Sequence, residues 1–408
     1  MKKILKISWR NIWRNKIRSS IIIIAIIIGI MGGIFSGAIR LAAEKQQFEE
    51  AVDNRTSHIQ VHHPKFVANP EARFYIKNGI HIAKEIEAID GVHSVSERSV
   101  VEGMVASANL NAGVRIKGVD ALAEALTTNL NSLITEGTYF ENEGRLPSII
   151  IGEALANTIN VSVGSRIVLT FQDIKGEMIS ASFVVEGLYK LSSRRFEEST
   201  VFIQSKNIYD LIGKEKHVTE IAVVIDDVDN YRLMAEKIRK AFPELDVKHW
   251  ADMEPSLYYS LEFLNQNLIW MVGIIILGVS FGLFNTILMS VLERVKEFGI
   301  LMAIGMKRTK VFLMIIFETI MLSFIAGVSG LILSYGMIRH FKVKGINLEG
   351  VGAEGLEDFG YATVLYLDLD PQMYFQIGIM VMVFAVLAAV YPAVKAIRLS
   401  PVEAVRSE

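Results

Sequence analysis

In 408 residues without a single cysteine, any chemistry falls to histidine, carboxylates, amines and hydroxyls. The nearest thing to a metal cluster is "HIQVHH", where His58 and His62 fall on one side of a strand and His63 on the other. No carboxylate or fourth ligand stands beside them, so a strand end with solvated histidines is expected rather than a zinc site. No phosphate loop, nucleophile elbow or H-E-x-x-H pair occurs. The expected catalytic, cofactor and metal residues are therefore none. Two features remain. Glu318 is a carboxylate inside an apolar run, about 10 Å from its start at about 1.5 Å per residue. A charge near a bilayer centre costs roughly 2.5 to 3.5 kcal/mol, so it should face protein, water or a cation such as Lys307, Arg308 or Lys310. The second is "SVLERVKEFGILMAIGMKRTKVF", residues Ser290 to Phe312. In it Val295, Phe298, Met302 and Gly305 fall along one side of a helix, with Glu293, Lys296 and Glu297 around the other. It is too short and charged to span a membrane, and is expected to lie along a membrane surface.

The elements that must position these residues are unusually apolar: 51% of the chain is hydrophobic. Four segments are nearly free of charge, Ile21 to Ile39, Leu268 to Leu292, Val311 to Ile338 and Tyr374 to Val394. Each is long enough to cross a hydrocarbon core of about 30 Å. Seven Lys and Arg and no acid precede the first span, and Arg294, Lys296, Lys307, Arg308, Lys310, Lys395, Arg398 and Arg406 flank the others. The positive-inside rule then puts both termini and the 293–310 loop in the cytosol. The segment between spans three and four begins with Arg339, Lys342 and Lys344 but is dominated by acids, and is placed outside. A cleaved signal peptide is disfavoured, because the first apolar core exceeds the usual roughly 7 to 15 residues.

The expected fold class is thus an integral membrane α-helical protein with four transmembrane helices and a large extracytoplasmic α+β domain inserted between the first and second. Residues 1–19 form a cytosolic amphipathic elbow, with Leu5, Trp9, Ile12 and Trp13 at helical spacing among cations, suited to membrane lipid. Residues 20–44 form the first helix and stalk, 45–260 the outer domain and 261–408 the part that holds the remaining three spans. Gly29, Gly33 and Gly37 align on one face of the first span, and Gly278 and Gly282 repeat this more weakly on the second, as sites of close helix packing. In the outer domain, strand, helix and strand from His58 to Val95 look like the same succession from Glu220 to Trp250, with a strand-rich block, about 105–204, inserted between them.

The stretch "ERVKEFGILMAIGMKRTKVFLMIIFETIMLSFIAGVSGLILSYG" resembles the FtsX-type permease domain shared by lipoprotein-releasing permeases (LolC and LolE), the macrolide exporter MacB and FtsX. The tail "YPAVKAIRLSPVEAVR" is similar to that family's closing motif, and "PSIIIGEALANTINVSVGSRIVLTF" with "FVVEGLY" resembles its periplasmic domain. "WRNIWRNKIRSS" and "HIQVHH" lean towards lipoprotein-releasing members. The resemblance implies a non-catalytic ABC transporter permease of the bacterial inner membrane that works with a cytosolic ABC ATPase, which binds ATP and Mg, and with a second, identical or different, permease subunit. It implies a coupling helix over Glu293 to Gly305, with Glu293, Arg294, Glu297, Phe298, Gly299 and Gly305 as ATPase-docking residues. It implies a lipoprotein or other amphiphilic substrate moved by mechanotransmission, sometimes with a periplasmic carrier or adaptor, and no nucleic acid. Regulation of a cell-wall hydrolase and toxin or peptide export are the alternatives.

Overall fold

The computed structural model describes residues 2–141, 144–213, 216–348 and 364–398. They fall into two compact units, one from Met1–Glu44, Glu262–Asn347 and the chain from Val364 onward, the other from Lys45–Leu261. Among the described residues three helices are long and apolar enough to cross a bilayer, within Ser19–Thr56, Arg308–Lys344 and Pro371–Ile397. They carry the first, third and fourth expected spans. The second, 268–292, lies on a continuous helix, Pro255–Glu293. Several of its side chains between 264 and 283 lie outside the described set.

The chain opens with α1 (Lys2–Arg14) and α2 (Lys16–Phe48). On α1, Ser8 and Ile12 are buried, while Trp9 and Trp13 face outward with their rings edge to face at 5.9 Å. The two indoles thus share an exposed face, whereas Ile12 of the same spaced set turns inward. On α2, Ile22, Ile26, Ile30, Ile34 and Ala38 recur every fourth residue and are buried, whereas Ile17, Ile21, Ile24 and Ile28 are exposed. The two faces are equally apolar, so burial here follows helix packing and not hydrophobicity.

The outer unit runs β1 (Ile59–His62), α3 (Gly79–Glu87), β2 (Val92–Ala106), β3 (Asn111–Val119), α4 (Ala121–Thr128), β4 (Ile134–Gly137), β5 (Ser148–Gly152), α5 (Glu153–Ile159), β6 (Arg166–Gln172), β7 (Met178–Tyr189), α6 (Arg194–Ser199), β8 (Thr200–Gln204), α7 (Ser205–Ile212), β9 (Glu220–Ile225), α8 (Tyr231–Ala241), β10 (Asp246–His249) and α9 (Trp250–Met253). The two look-alike stretches interlock. The strand order is β10-β1-β9-β2, each pair antiparallel, so β1-α3-β2 and β9-α8-β10 are split βαβ units, each taking a strand of the other into its gap. Ile59, Val61, Ile221 and Val223 share a core there with Ala83 and Ile86 of α3 and Ala235 and Ile238 of α8.

The strand-rich block has a core of its own but no separate sheet, because β2 runs through both halves. From β2 the pairing passes to β3, β8, β5, β7 and β6, and β6 returns to β2, closing a ring of six strands. Closure removes exposed edges, and the inward residues Val105, Ile116, Ile151, Leu169, Phe183 and Val201 fill the ring. Where β6 returns, a Cβ on Gly103 would fall 2.5 Å from the Thr170 carbonyl oxygen, so a side chain there would push the closing strands apart.

The chain ends with α10 (Pro255–Glu293), α11 (Val295–Ala303), α12 (Arg308–Lys344), the strand pair β11 (Ile346–Asn347) and β12 (Val364–Leu365), and α13 (Pro371–Arg398). Small residues bring α2, α12 and α13 together. A Cβ on Gly33 would lie 3.0 Å from Ile377, one on Gly378 3.0 Å from Leu331 and one on Gly330 3.2 Å from Ile30. Ala385, Ala389 and Ala393 continue this closely packed side of α13.

Candidate functional site

The stretch from Ser290 to Phe312 folds as the end of α10, a one-residue break at Arg294, α11, and a turn into α12. Gly305 makes that turn. Its φ of 96° lies in the left-handed region, and the following amide, Met306 N–H, donates back to the Leu301 carbonyl, closing the end of α11. Phe298 and Gly299 are buried, whereas Lys296, Ile300 and Ile304 are exposed, the last two by 55% and 76%. Glu293 is exposed on the last turn of α10. The element therefore keeps a free edge with two isoleucines and two charges, while its aromatic side is spent inside the unit.

Four charged side chains tie α11 in place. Glu318 of α12 accepts from Arg294 Nη1 at 2.9 Å and 3.3 Å. Arg294 Nε donates to Glu297 at 3.2 Å, and Glu297 also accepts from Arg14 of α1. The Arg294 guanidinium lies 5.1 Å from the centre of the Phe298 ring, which covers it as a cation–π partner. Side-chain exposure rises along the chain of charges, from 7% at Glu318 and 10% at Arg294 to 45% at Glu297 and 57% at Arg14. Partial burial opposes ionisation of Glu297, but the hydrogen bonds from Arg14 and Arg294 outweigh it and hold the carboxyl below its ordinary range. The bond to Glu297 likewise holds the Arg14 guanidinium above its own ordinary value. Ser8 adds a neutral tie between α1 and α12, its hydroxyl donating to the Met314 carbonyl at 3.1 Å.

Several expected residues take other places. Among the described residues it is Arg294 that bonds Glu318, rather than Lys307, Arg308 or Lys310. Arg308 opens α12 ten residues earlier, about 15 Å along the axis, beyond side-chain reach. Arg294 and Phe298 turn inward, so of the residues expected to dock a partner only Glu293, half-exposed Glu297 and Gly305 keep open surface. Gly29, Gly33 and Gly37 are buried on α2, with Gly33 and Gly37 against Ile377, whereas a Cβ on Gly278 or Gly282 would meet nothing within 4 Å among the described residues.

The histidines differ most from expectation. His58 and His62 are 4% and 3% exposed, not solvated. His58 Nδ1 accepts from the Ile225 amide, so the proton sits on Nε2, which donates to Asp53 at 3.0 Å. His62 Nε2 faces Glu220 at 3.4 Å, and His63 stacks on Phe74. Asp53 lies only five residues before His58, whereas Glu220 is 158 residues beyond His62. No group of three metal-type ligands occurs among the described residues.

The outer unit also holds charges that the sequence did not single out. Arg98, 0% exposed, donates twice to Glu124, at 2.8 Å and 2.9 Å, and once to Glu220 at 2.7 Å. Burial works against ionisation of both carboxyls, yet the cations Arg98 and Lys117 hold both below their ordinary range. The only signal in the sequence is Ser94, Ser96 and Arg98 at every second position of an otherwise apolar strand.

Residues 19–241 match the MacB-like periplasmic core domain, and residues 269–401 match the FtsX-like permease C-terminal domain. An uncharacterized ABC transporter permease of Methanocaldococcus jannaschii is 24% identical over 67% of this chain and 66% of its own length. The lipoprotein-releasing system transmembrane protein LolC of Xylella fastidiosa is 23% identical over 71% of this chain and 70% of its own. The macrolide export ATP-binding/permease protein MacB of Bdellovibrio bacteriovorus is 24% identical over 78% of this chain, which spans only 48% of that protein. Among solved structures, the periplasmic region of MacB from Actinobacillus actinomycetemcomitans aligns over 51% of this chain and 94% of its own at 12% identity and a TM-score of 0.35. The chain belongs to the ABC transporter permeases of the FtsX, MacB and LolC type, built from a MacB-like periplasmic core domain and an FtsX-like permease domain.

Proposed function

We propose that this chain is the non-catalytic membrane subunit of an ABC complex in which a separate cytosolic ATPase, binding ATP and Mg, seats on the free edge of α11. The observation that carries the reading is the division of α11 into two sides. One side is fixed to α12 and α1 through Arg294, Glu318, Glu297 and Arg14, and the other exposes Ile300 and Ile304 beside Glu293 and Lys296. Exposed isoleucines on an element too charged to enter lipid suit a protein partner. A push on that edge would pass to α12 through charge-assisted bonds, which are short and directional, without first repacking the core.

In this reading four helices span the inner membrane, both termini are cytosolic and the outer unit is extracytoplasmic. Two permease subunits act together on a lipoprotein or another amphiphile by mechanotransmission. The test is co-purification of the full chain with a candidate ABC ATPase from the same organism. Ile300→Asp should weaken retention of the ATPase at least tenfold, about 1.4 kcal/mol, without changing the thermal melt. Undiminished retention would remove α11 as the docking element.

A further inference from the structure

The polar side of the outer unit's sheet, on the face away from α3 and α8, opens into a cavity of about 310 Å³. Lys117 of β3, His62 of β1 and Glu220 of β9 line it, with Phe66 and Phe196 among its apolar residues. That volume falls at the lower end of the range usual for small-molecule sites.

Lys117 is 5% exposed. Its ammonium has three donors, yet its one hydrogen bond is long, 3.4 Å to the Arg55 carbonyl, and the Phe196 ring centre lies 5.7 Å away. The other cations lining the cavity each have a carboxylate within 4 Å. Arg55 has Glu254 at 3.6 Å, Arg115 has Glu102 at 3.4 Å and Lys248 has Asp246 at 3.7 Å. Lys117 has none among the described residues, because Glu220 gives Oε1 to Arg98 and turns Oε2 to His62. His62 is left with a buried Nδ1 that has no hydrogen-bond partner, its ring stacked on Phe66 at 5.7 Å. Two buried polar groups with unused capacity thus border one cavity between two phenylalanines. Burying groups in that condition costs stability, which a bound anion would recover at Lys117. Burial, with the charge of Arg98 adding to it, also brings the Lys117 amine down to about 8.

We propose that this cavity binds the carboxylate end of a small amphiphilic monoanion, with Lys117 donating to the carboxylate and Phe66 and Phe196 against the apolar part, while His62 stays turned to Glu220. The assignment rests on the outer unit alone and does not depend on docking at α11.

The probe is hexanoate, followed by saturation-transfer NMR on the full chain in lipid nanodiscs, with hexanamide as the uncharged control and empty nanodiscs as background. Hexanoate should show transfer above background that falls at least fivefold in Lys117→Met and is kept in Lys117→Arg, while hexanamide shows none. Val67→Trp, at the exposed side of the cavity and away from the buried charges, should abolish the signal and decides the matter if Lys117→Met does not fold. Transfer no greater than in empty nanodiscs, or undiminished in the Val67 variant, would overturn the site and leave Lys117 as a member of a closed structural cluster.

Discussion

Among the described residues two arginines are buried, Arg98 in the outer unit and Arg294 in the membrane unit, and they are bonded in opposite ways. Arg98 is bonded to Glu124 and Glu220, both buried, with Ser57 as a weaker fourth contact at 3.4 Å. Arg294 has one buried carboxylate, Glu318, and one half-exposed carboxylate, Glu297, which leads on to exposed Arg14. The cluster is closed in that no ion pair leads from it to an exposed charge among the described residues, and it fixes strands β2 and β9 and helix α4 against one another. An open chain of charges runs from a solvent-accessible residue to the interior of α12, so a partner on α11 has something to pull on. The difference separates a device that holds a domain together from one suited to transmit force.

The largest expected effect is on the closed cluster. Arg98→Met leaves two carboxylates buried without their guanidinium and should lower the stability of the outer unit by about 5 kcal/mol, the upper end for breaking a buried ion pair. Thermal unfolding and limited proteolysis of the full chain would show it. A loss below about 1 kcal/mol would mean that water reaches the cluster, and the contrast with Arg294 would disappear.

Next in size is Glu318→Gln. The amide keeps the shape of the side chain and can accept one hydrogen bond, but it leaves Arg294 buried with only Glu297 for charge, so about 3 kcal/mol is expected in thermal unfolding. The ATPase should still bind, since the free edge of α11 is untouched, but its turnover should no longer respond to substrate. Arg294→Met combined with Glu318→Met should recover most of the lost stability without restoring the response. Recovery of both would show that the pair is structural and carries no signal.

The smallest effect belongs to the outer end of the chain of charges. Arg14→Gln removes a pair in which both side chains are about half exposed, worth at most about 1 kcal/mol. Its pH dependence has a definite sign. Glu297 is depressed in the folded state, so its contribution is present above the ordinary glutamate value of about 4.3 and is lost as the pH falls below it. Wild type and Arg14→Gln should therefore differ in melting temperature at pH 7 and converge towards pH 3. A difference that persists at pH 3 would place the role of Arg14 outside this ion pair.

How much of this was legible in the sequence depended on whether the deciding contacts were local. The apolar runs and the glycines at 33 and 37 announce themselves by composition and spacing, and α2 does bury that face. The repeated strand-helix-strand pattern was visible, but its interlocking was not. Which strand enters a gap depends on pairings such as Ile59 with Val223, more than 160 residues apart. Closure of the six-stranded ring rests in the same way on Gly103 meeting Phe171. At the site, helical spacing placed Phe298 on the apolar side of α11 correctly, but it could not show that Arg294, in the break between two helices, would turn in to Glu318. Sequence proximity pointed instead to Lys307, Arg308 and Lys310, which the rise of α12 carries out of reach. His62 looked solvated for the same reason, since Glu220 comes from a strand 158 residues on; Asp53 is only five residues from His58 but reaches it from the helical segment Glu49–Thr56 that precedes β1.

Because the chain has no cysteine, single cysteines can be placed without background. The most direct measurement is disulfide or short maleimide crosslinking between the ATPase and the full chain carrying Ile300→Cys or Ile304→Cys on the free edge of α11. Val343→Cys, 82% exposed near the far end of α12, serves as the control. Crosslinks at 300 and 304 with none at 343 are the predicted result. Crosslinks at 343, or none at 300 and 304 while the complex is intact, would contradict docking on α11.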